Sequence, residues 1–331
     1  MARTLIAPDP PPEGWLPAWA CSDQGTFVVD WCYFGSRPLR EPFFEDSLQL
    51  AMRRPVNHFL RYRTSVEALA RRYAVSPGLR PTGFVFHTSR CGSTLVAQML
   101  GAMRGSVVLS EAPPIDAVLA ADAQHASVDG DQRAAWLIGM LSALGQPRAP
   151  GDCHLFVKFD AWHALHLPLI RRAFPDVPWV FLYRDPREVL ASQLRQPGAF
   201  LIPGVIKGAA HATGEPPSGS TVAQRVATMM QRLGDAALAA LSGGRGLLLN
   251  YAQLPGAVLH QIADHFGIEL TADDRAAMSN VTQFDAKTPS LTYERREEPV
   301  LALADSDRAT LDVSAMRTYL ELERVRVAGG P

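Results

Sequence analysis

Lysine is almost absent from this chain. Of its 331 residues only Lys158, Lys207 and Lys287 are lysines, so nearly all positive charge is carried by arginine. None of the three falls within 82–104, where an apolar run meets a glycine-bearing turn. That argues against the Gly-x-x-x-x-Gly-Lys-Ser/Thr loop of nucleotide hydrolases and kinases. Cysteine is scarce too: Cys21, Cys32, Cys91 and Cys153 show neither paired metal-ligand spacing nor the density of a disulfide scaffold. Thirty-two basic residues face 33 acidic ones, a net charge of −1, so no basic field points to a nucleic-acid partner. No apolar stretch reaches the ~18 residues of a spanning helix. The first residues, Met1-Ala-Arg-Thr-Leu-Ile-Ala-Pro8, lack the apolar core of a signal peptide. With 47% apolar and 20% charged residues, the expectation is an ordinary globular chain of the cytoplasm.

What is present concentrates in two stretches. In the first, Gly83-Phe-Val-Phe-His87-Thr-Ser-Arg90-Cys-Gly92-Ser-Thr94-Leu-Val-Ala-Gln-Met-Leu100, an apolar strand ends in a polar turn and an apolar helix begins at once. The first amides of a helix have no internal partners, and its dipole adds positive charge there. Small residues let an anion approach those amides, Ser93 and Thr94 add hydroxyls, and Arg90 adds a planar cationic fork. The plainer alternative is a strand-to-helix turn in which Gly92 only supplies backbone freedom. In the second, Trp179-Val-Phe-Leu-Tyr183-Arg184-Asp-Pro186-Arg187-Glu-Val-Leu-Ala-Ser192, another buried strand ends in Arg184 and Pro186 opens a helix. Ser192, about two turns on, shares a face with the strand end, so Arg184 and Ser192 can grip one anion. Alternatively, Arg184 is a surface ion-pair partner of Asp185 or Glu188. Taken together, the stretches describe a ligand with phosphate-like groups at both ends.

These residues resemble the sulfotransferases that use 3′-phosphoadenosine 5′-phosphosulfate (PAPS). Arg90-Cys91-Gly92-Ser93-Thr94 is similar to that family's 5′-phosphosulfate loop, with Cys91 where serine is usual. Arginine at its first place looks like the tyrosylprotein and bacterial carbohydrate branches. Arg184 and Ser192 have the spacing of the family's 3′-phosphate motif. Phe156-Val-Lys158-Phe-Asp160 and Leu248-Leu-Asn-Tyr251-Ala-Gln-Leu254 are weaker echoes of the strand before that motif and the segment after it. The resemblance spans roughly 82–270. It implies a P-loop-like three-layer α/β fold and a PAPS site made of Ser89, Arg90, Cys91, Gly92, Ser93, Thr94, Arg184, Ser192 and Tyr251. It also implies sulfuryl transfer to a hydroxyl or amine, release of 3′-phosphoadenosine 5′-phosphate (PAP), and no metal. The tyrosylprotein branch uses a glutamate after the corresponding strand as base, and Glu111 matches it, ending the strand Ser106-Val-Val-Leu-Ser, which is expected next to the strand that carries the loop. His87, His163 and His166 are rival bases, as in the cytosolic branch. Arg90 would stabilise the leaving group by charge alone, because a guanidinium does not give up its proton.

Periodicity divides the chain into a region 1–80, read as an extension packing on the core, and an α/β domain 81–331. The extension has a proline leader at 8–12, aromatic packing mass around Thr26-Phe-Val-Val-Asp, and amphipathic helices at 44–52 and 58–73. Strands are expected at 83–88, 106–110, 154–159, 178–184 and 245–250. Helices are expected near 94–103, 131–144, 163–174, 186–195, 222–241, 254–266 and 312–327. This is a parallel sheet of about five strands with helices on both faces. Residues 196–220, rich in Gly and Pro, read as a mobile loop or lid. His163 and His166 stand three apart, but no carboxylate or cysteine pattern completes a metal site. Other classes stay open: a kinase-like phosphotransferase, or a non-catalytic nucleotide-binding scaffold. A serine hydrolase is disfavoured because the turn lacks Gly-x-Ser-x-Gly. The acceptor, whether sugar, peptide or small molecule, is not specified by any motif, nor is the oligomeric state.

Overall fold

A computed structural model of the chain describes residues 3–7, 9–124, 127–198, 201–202, 217, 219–292 and 303–329. Much of the expected loop at 196–220, and Pro8 of the proline leader, lie outside these residues. The chain divides into two compact units. The first holds Met1–Phe84, Ala97–Lys158 and Leu169–Val177, and the second holds Val85–Val96, Phe159–Pro168 and Pro178–Pro331.

The beginning of the chain builds a sheet that was not expected, while the helix expected at 44–52 forms with those bounds. Strands β1 (Arg3–Ile6), β2 (Trp15–Asp23), β3 (Thr26–Tyr33) and β4 (Leu60–Ser65) form a mixed four-stranded sheet in the order β1-β4-β3-β2. Helices α1 (Phe44–Met52), α2 (Pro55–Phe59) and α3 (Glu67–Val75) complete the segment. The expected helix at 58–73 is therefore cut in two by β4, which gains ladder bonds on both edges, parallel to β1 and antiparallel to β3. Arg63 of β4 forks onto Asp30 of β3 with bonds of 2.6 and 2.8 Å, a cross-strand pair that a helix would not allow. Buried Asn57 accepts from the Tyr33 amide and donates to the Tyr33 and Ala51 carbonyls, tying α2 to β3. The strand β2 lies at the sheet edge. Its register shifts between Pro17 and Trp19, at the point where the strand passes from buried to exposed.

From residue 81 the expected alternation holds. The strands are β5 (Pro81–His87), β6 (Ser106–Ser110), β7 (His154–Lys158), β8 (Trp179–Tyr183) and β9 (Gly246–Asn250). They form a parallel sheet, ordered β6-β7-β5-β8-β9 and flanked by helices. The sheet is central because its strands are almost continuously apolar, as burial on both faces demands. The flanking helices are α4 (Ser93–Ala102), α5 (Pro113–Leu119), α6 (Ala121–Gln124), α7 (Gly130–Leu144), α8 (Leu167–Ala173), α9 (Pro186–Arg195) and α10 (Val222–Leu241). In the first unit α7 packs so closely on α3 that a Cβ on Gly139 would lie 2.9 Å from Leu69 Cβ.

After β9 come a π-turn at Val258–Ile262, α11 (Ala272–Val281), α12 (Asp305–Val313) and α13 (Ala315–Ala328). The helix expected at 312–327 is α13, and the unexpected α12 precedes it, the two parted at Ser314, where the backbone leaves the helical region (φ −132°, ψ −68°). In the second unit α13 packs on α10 and β9. There Tyr183 at the end of β8 donates to Glu323, which also accepts from Asn250 (3.0 Å) and Arg326 (2.8 Å).

Candidate functional site

The first cluster lies in the second unit, at the carboxyl end of the central strand β5. The Thr88 amide donates to the Leu182 carbonyl (2.8 Å), so the pairing with β8 continues one residue past the end of the strand. The chain then turns through Arg90 (φ +61°) and Gly92 (φ +81°) and enters α4, whose first bond runs from Val96 N–H to the Gly92 carbonyl. A left-handed arginine is uncommon, and such backbone persists where the surroundings enforce it. Turns of this kind point successive amides into one concavity that suits an anion. Gly92 is required twice over, by its φ and by space: a Cβ would lie 2.6 Å from Leu254 and 3.0 Å from Tyr251. Cys91 is fully buried and its Sγ donates to the Thr88 carbonyl (2.7 Å), so what it can offer a ligand is its amide. Ser93 and Thr94 are buried, and their hydroxyls have no hydrogen-bond partner among the described residues.

Arg184 leaves the end of β8 and lies against this turn. Its Nη1 donates to the Arg90 carbonyl (3.4 Å), and its guanidinium carbon lies 4.2 Å from the centre of the Tyr251 ring. Tyr251 packs in turn on Gly92. The alternative reading of Arg184 is also realised in part, since its Nε pairs with Glu188 on the first turn of α9. A guanidinium has five N–H donors, so this pair and the Arg90 bond leave capacity for an anion. Asp185 caps α9 by accepting from the Arg187 amide (2.8 Å), with Pro186 at the first helical position. Ser192 is buried on α9, and its hydroxyl has no partner among the described residues.

Gln193 was missed in the sequence. It is buried, donates Nε2 to Ser89 Oγ (2.8 Å) and accepts from the Gly198 amide (2.8 Å). Arg90 reaches the same helix end through a bond to the Gln196 carbonyl. The available signal was an amide side chain within a helix whose other buried members include Val189 and Leu190.

The second cluster lies in the first unit. Glu111 follows β6 in a left-handed conformation (φ +53°), and its amide donates to the Lys158 carbonyl (2.8 Å), extending the β6–β7 ladder. Its carboxylate pairs with Lys158, which is 1% exposed and also lies 3.5 Å from Ser110 Oγ and 5.2 Å from the centre of the Phe43 ring. The reading that β6 neighbours the loop-bearing strand is corrected by the sheet order: β7, carrying Lys158, stands between β6 and β5. Lys158, seen before only as a family echo, is thus the direct partner of Glu111.

The rival histidines are engaged otherwise. His87 is buried with Nδ1 2.9 Å from the Thr88 carbonyl and Nε2 3.0 Å from the Phe159 carbonyl; carbonyls only accept, so both nitrogens are placed to donate. His163 Nδ1 accepts from the Asp160 amide (3.3 Å), closing the cap of the 3-10 turn Ala161–His166 that also holds His166. Among the described residues no group of three or more His, Cys, Asp or Glu could hold a metal, and no helix is long and apolar enough to cross a membrane. The donor set of the first cluster, all N–H and O–H groups, fits an oxyanion such as the phosphosulfate end of PAPS.

No family model matches the chain, and no curated protein matches it. Among solved structures it is similar to sulfotransferase STF9 from Mycobacterium avium (14% identity, 75% of this chain, 80% of that chain, TM-score 0.45). It is also similar to the sulfotransferase domain of the curacin biosynthetic pathway (15%, 75% and 98%, TM-score 0.42) and to mouse sulfotransferase SULT7A1 complexed with PAP (13%, 78% and 89%, TM-score 0.40). At these identities and TM-scores the likeness says nothing of this chain's activity.

Proposed function

We propose that the chain is a sulfotransferase that moves the sulfuryl group from PAPS to a hydroxyl or amine of an acceptor and releases PAP. In this reading residues 89–94 hold the 5′-phosphosulfate, Arg184 and Ser192 take the 3′-phosphate, and Tyr251 supports both by packing on Gly92 and stacking with Arg184. The acceptor oxygen forms a bond to sulfur as the bridging S–O bond breaks, and the acceptor proton passes to Glu111. Arg90 and the turn amides stabilise the charge left on the departing phosphate. Residues 1–80 are proposed as an extension packing on the domain formed by 81–331.

The supporting observation is the turn at the end of β5: two left-handed residues, buried hydroxyls at Ser93 and Thr94, and Arg184 bonded to its Arg90 carbonyl. The test is thermal unfolding with ligands. A ligand that binds only the native state stabilises it by about RT ln(1 + [L]/Kd), near 2.7 kcal/mol at a hundredfold excess over Kd. PAP should raise the melting temperature well above any effect of ATP with magnesium. Stabilisation by ATP–magnesium and none by PAP would replace this reading with a phosphotransferase. PAP binding without turnover on any acceptor, or without slow PAPS hydrolysis, would point to a scaffold.

A further inference from the structure

Within the first unit a cleft of about 1340 Å³ lies among residues 9–14, the end of α3 and the turn at 146–150. Arg72 and Arg148 line it, each 7% exposed. Arg72 donates Nη1 to the Pro11 carbonyl (2.7 Å) and lies 5.7 Å from the centre of the Trp31 ring, while its buried Nε–H has no acceptor among the described residues. Arg148 donates Nε to the Arg37 carbonyl (3.2 Å) and Nη2 to the Gly35 carbonyl. Neither guanidinium forms an ion pair with a carboxylate among the described residues.

Carbonyls satisfy donors but do not neutralise charge, and a buried charge without a counterion is costly. Burial accordingly lowers both groups from the ordinary guanidinium range, and Arg54 adds to this at Arg148, while Glu13 offsets part of it at both and Asp152 part of it at Arg148. Other charges on the cleft wall are Arg71, Asp9, which faces Arg71 at 3.5 Å, and Glu13, which is exposed. The remaining wall mixes six prolines, Tyr33, Val75 and two alanines with the polar side chains of Ser36, Ser76 and Gln146. The space far exceeds one inorganic oxyanion, and apolar walls with a few placed charges are the usual make-up of an organic ligand site.

We propose that this cleft binds an organic oxyanion, a phosphate or sulfate ester or a carboxylate, whose charged oxygens seat against Arg72 and Arg148. Planar guanidinium forks match such groups, and each arginine keeps N–H donors beyond those its carbonyl partners take. The cleft is independent of the proposed PAPS site and does not require it.

The test titrates phenyl phosphate, phenyl sulfate and benzoate into ¹⁵N-labelled protein while the Nε–H signals of Arg72 and Arg148 are followed. Phenol serves as the uncharged match. Expected is a saturable shift of both signals with at least one anion and none with phenol. Affinity should weaken about tenfold or more in Arg148→Gln and in Ala74→Glu, the loss of one charge-assisted bond or the gain of a like charge. Ala74 is an exposed wall residue, so Ala74→Glu decides the matter should Arg148→Gln fail to fold. No saturable shift with any of the three anions overturns the proposal and leaves the arginines as ties for the 9–14 and 35–37 segments. Binding that survives Ala74→Glu but vanishes in Arg90→Ala also overturns it, by placing the anion at the turn before α4.

Discussion

Glu111 and Lys158 show how a residue's chemistry and its contribution to the fold become entangled. Exchange of a base for an amide should lower turnover by about 10²–10⁴, the usual worth of general-base catalysis, with PAP affinity little changed. Glu111→Gln also strands the ammonium of Lys158, 1% exposed, and breaking a buried pair costs about 3–5 kcal/mol. Urea unfolding should therefore show a loss that Glu111→Gln with Lys158→Met largely restores, while the rate stays low. A near-normal rate in the single variant would remove Glu111 from the mechanism. Arg184→Ala should weaken PAP by about one to two decades and leave adenosine 5′-phosphosulfate almost unaffected, since only PAP carries the 3′-phosphate. Equal loss for both would assign Arg184 to its contacts with Tyr251 and the Arg90 carbonyl. The turn residues were legible because Arg90 to Thr94 are contiguous and their chemistry is local. Lys158 and Gln193 were not, because what defines them is a partner 47 or 104 positions away.

Among the elements, α13 has the best defined tie. Burial alone would raise the Glu323 carboxyl, but bonds from Arg326, Tyr183 and Asn250 outweigh it and hold it at about 2, below the ordinary 4.5. Burial, then the bond to Glu323, pushes the Tyr183 hydroxyl above its usual range. A carboxyl with a depressed folded value stabilises the fold above its unfolded value, and that stability is lost as pH falls. Glu323→Gln should therefore destabilise by about 1.5–3 kcal/mol at pH 7. The gap to wild type should close as pH drops from 4.5 toward 2, measured by urea unfolding across that window. A gap independent of pH would mean that the amide merely packs badly. Elements with one strong period, such as α10, β8 and β9, were read nearly to their ends. β4 was not, because Leu60-Arg-Tyr-Arg-Thr-Ser becomes a strand only through its pairing with β1 and β3. α12 was not read because Asp305 to Val313 is mostly polar and only Leu311 is buried.

For the whole molecule, the parallel sheet was foreseeable from alternation, whereas its strand order was not. Sequence reading puts β6 beside β5 because they are consecutive, and nothing local reveals that β7 comes between them. The four-stranded sheet was hidden for a related reason: half of its ladder joins segments about 30 or more positions apart. The edge strand β2 has a further consequence, for colloidal behaviour. The strand packs against α5, its residues from Trp19 onward are exposed or half-buried, and Pro17 with the register shift bends the ribbon where that exposure begins. An irregular edge is a poor template for a second chain. Replacing the bend with a strand-forming residue, Pro17→Thr, should straighten the ribbon and seed edge-to-edge stacking. Light scattering during slow heating should then rise at a lower temperature and depend more steeply on protein concentration than in wild type. Unchanged scattering would mean that the exposed half of β2 is already too short to recruit a neighbour.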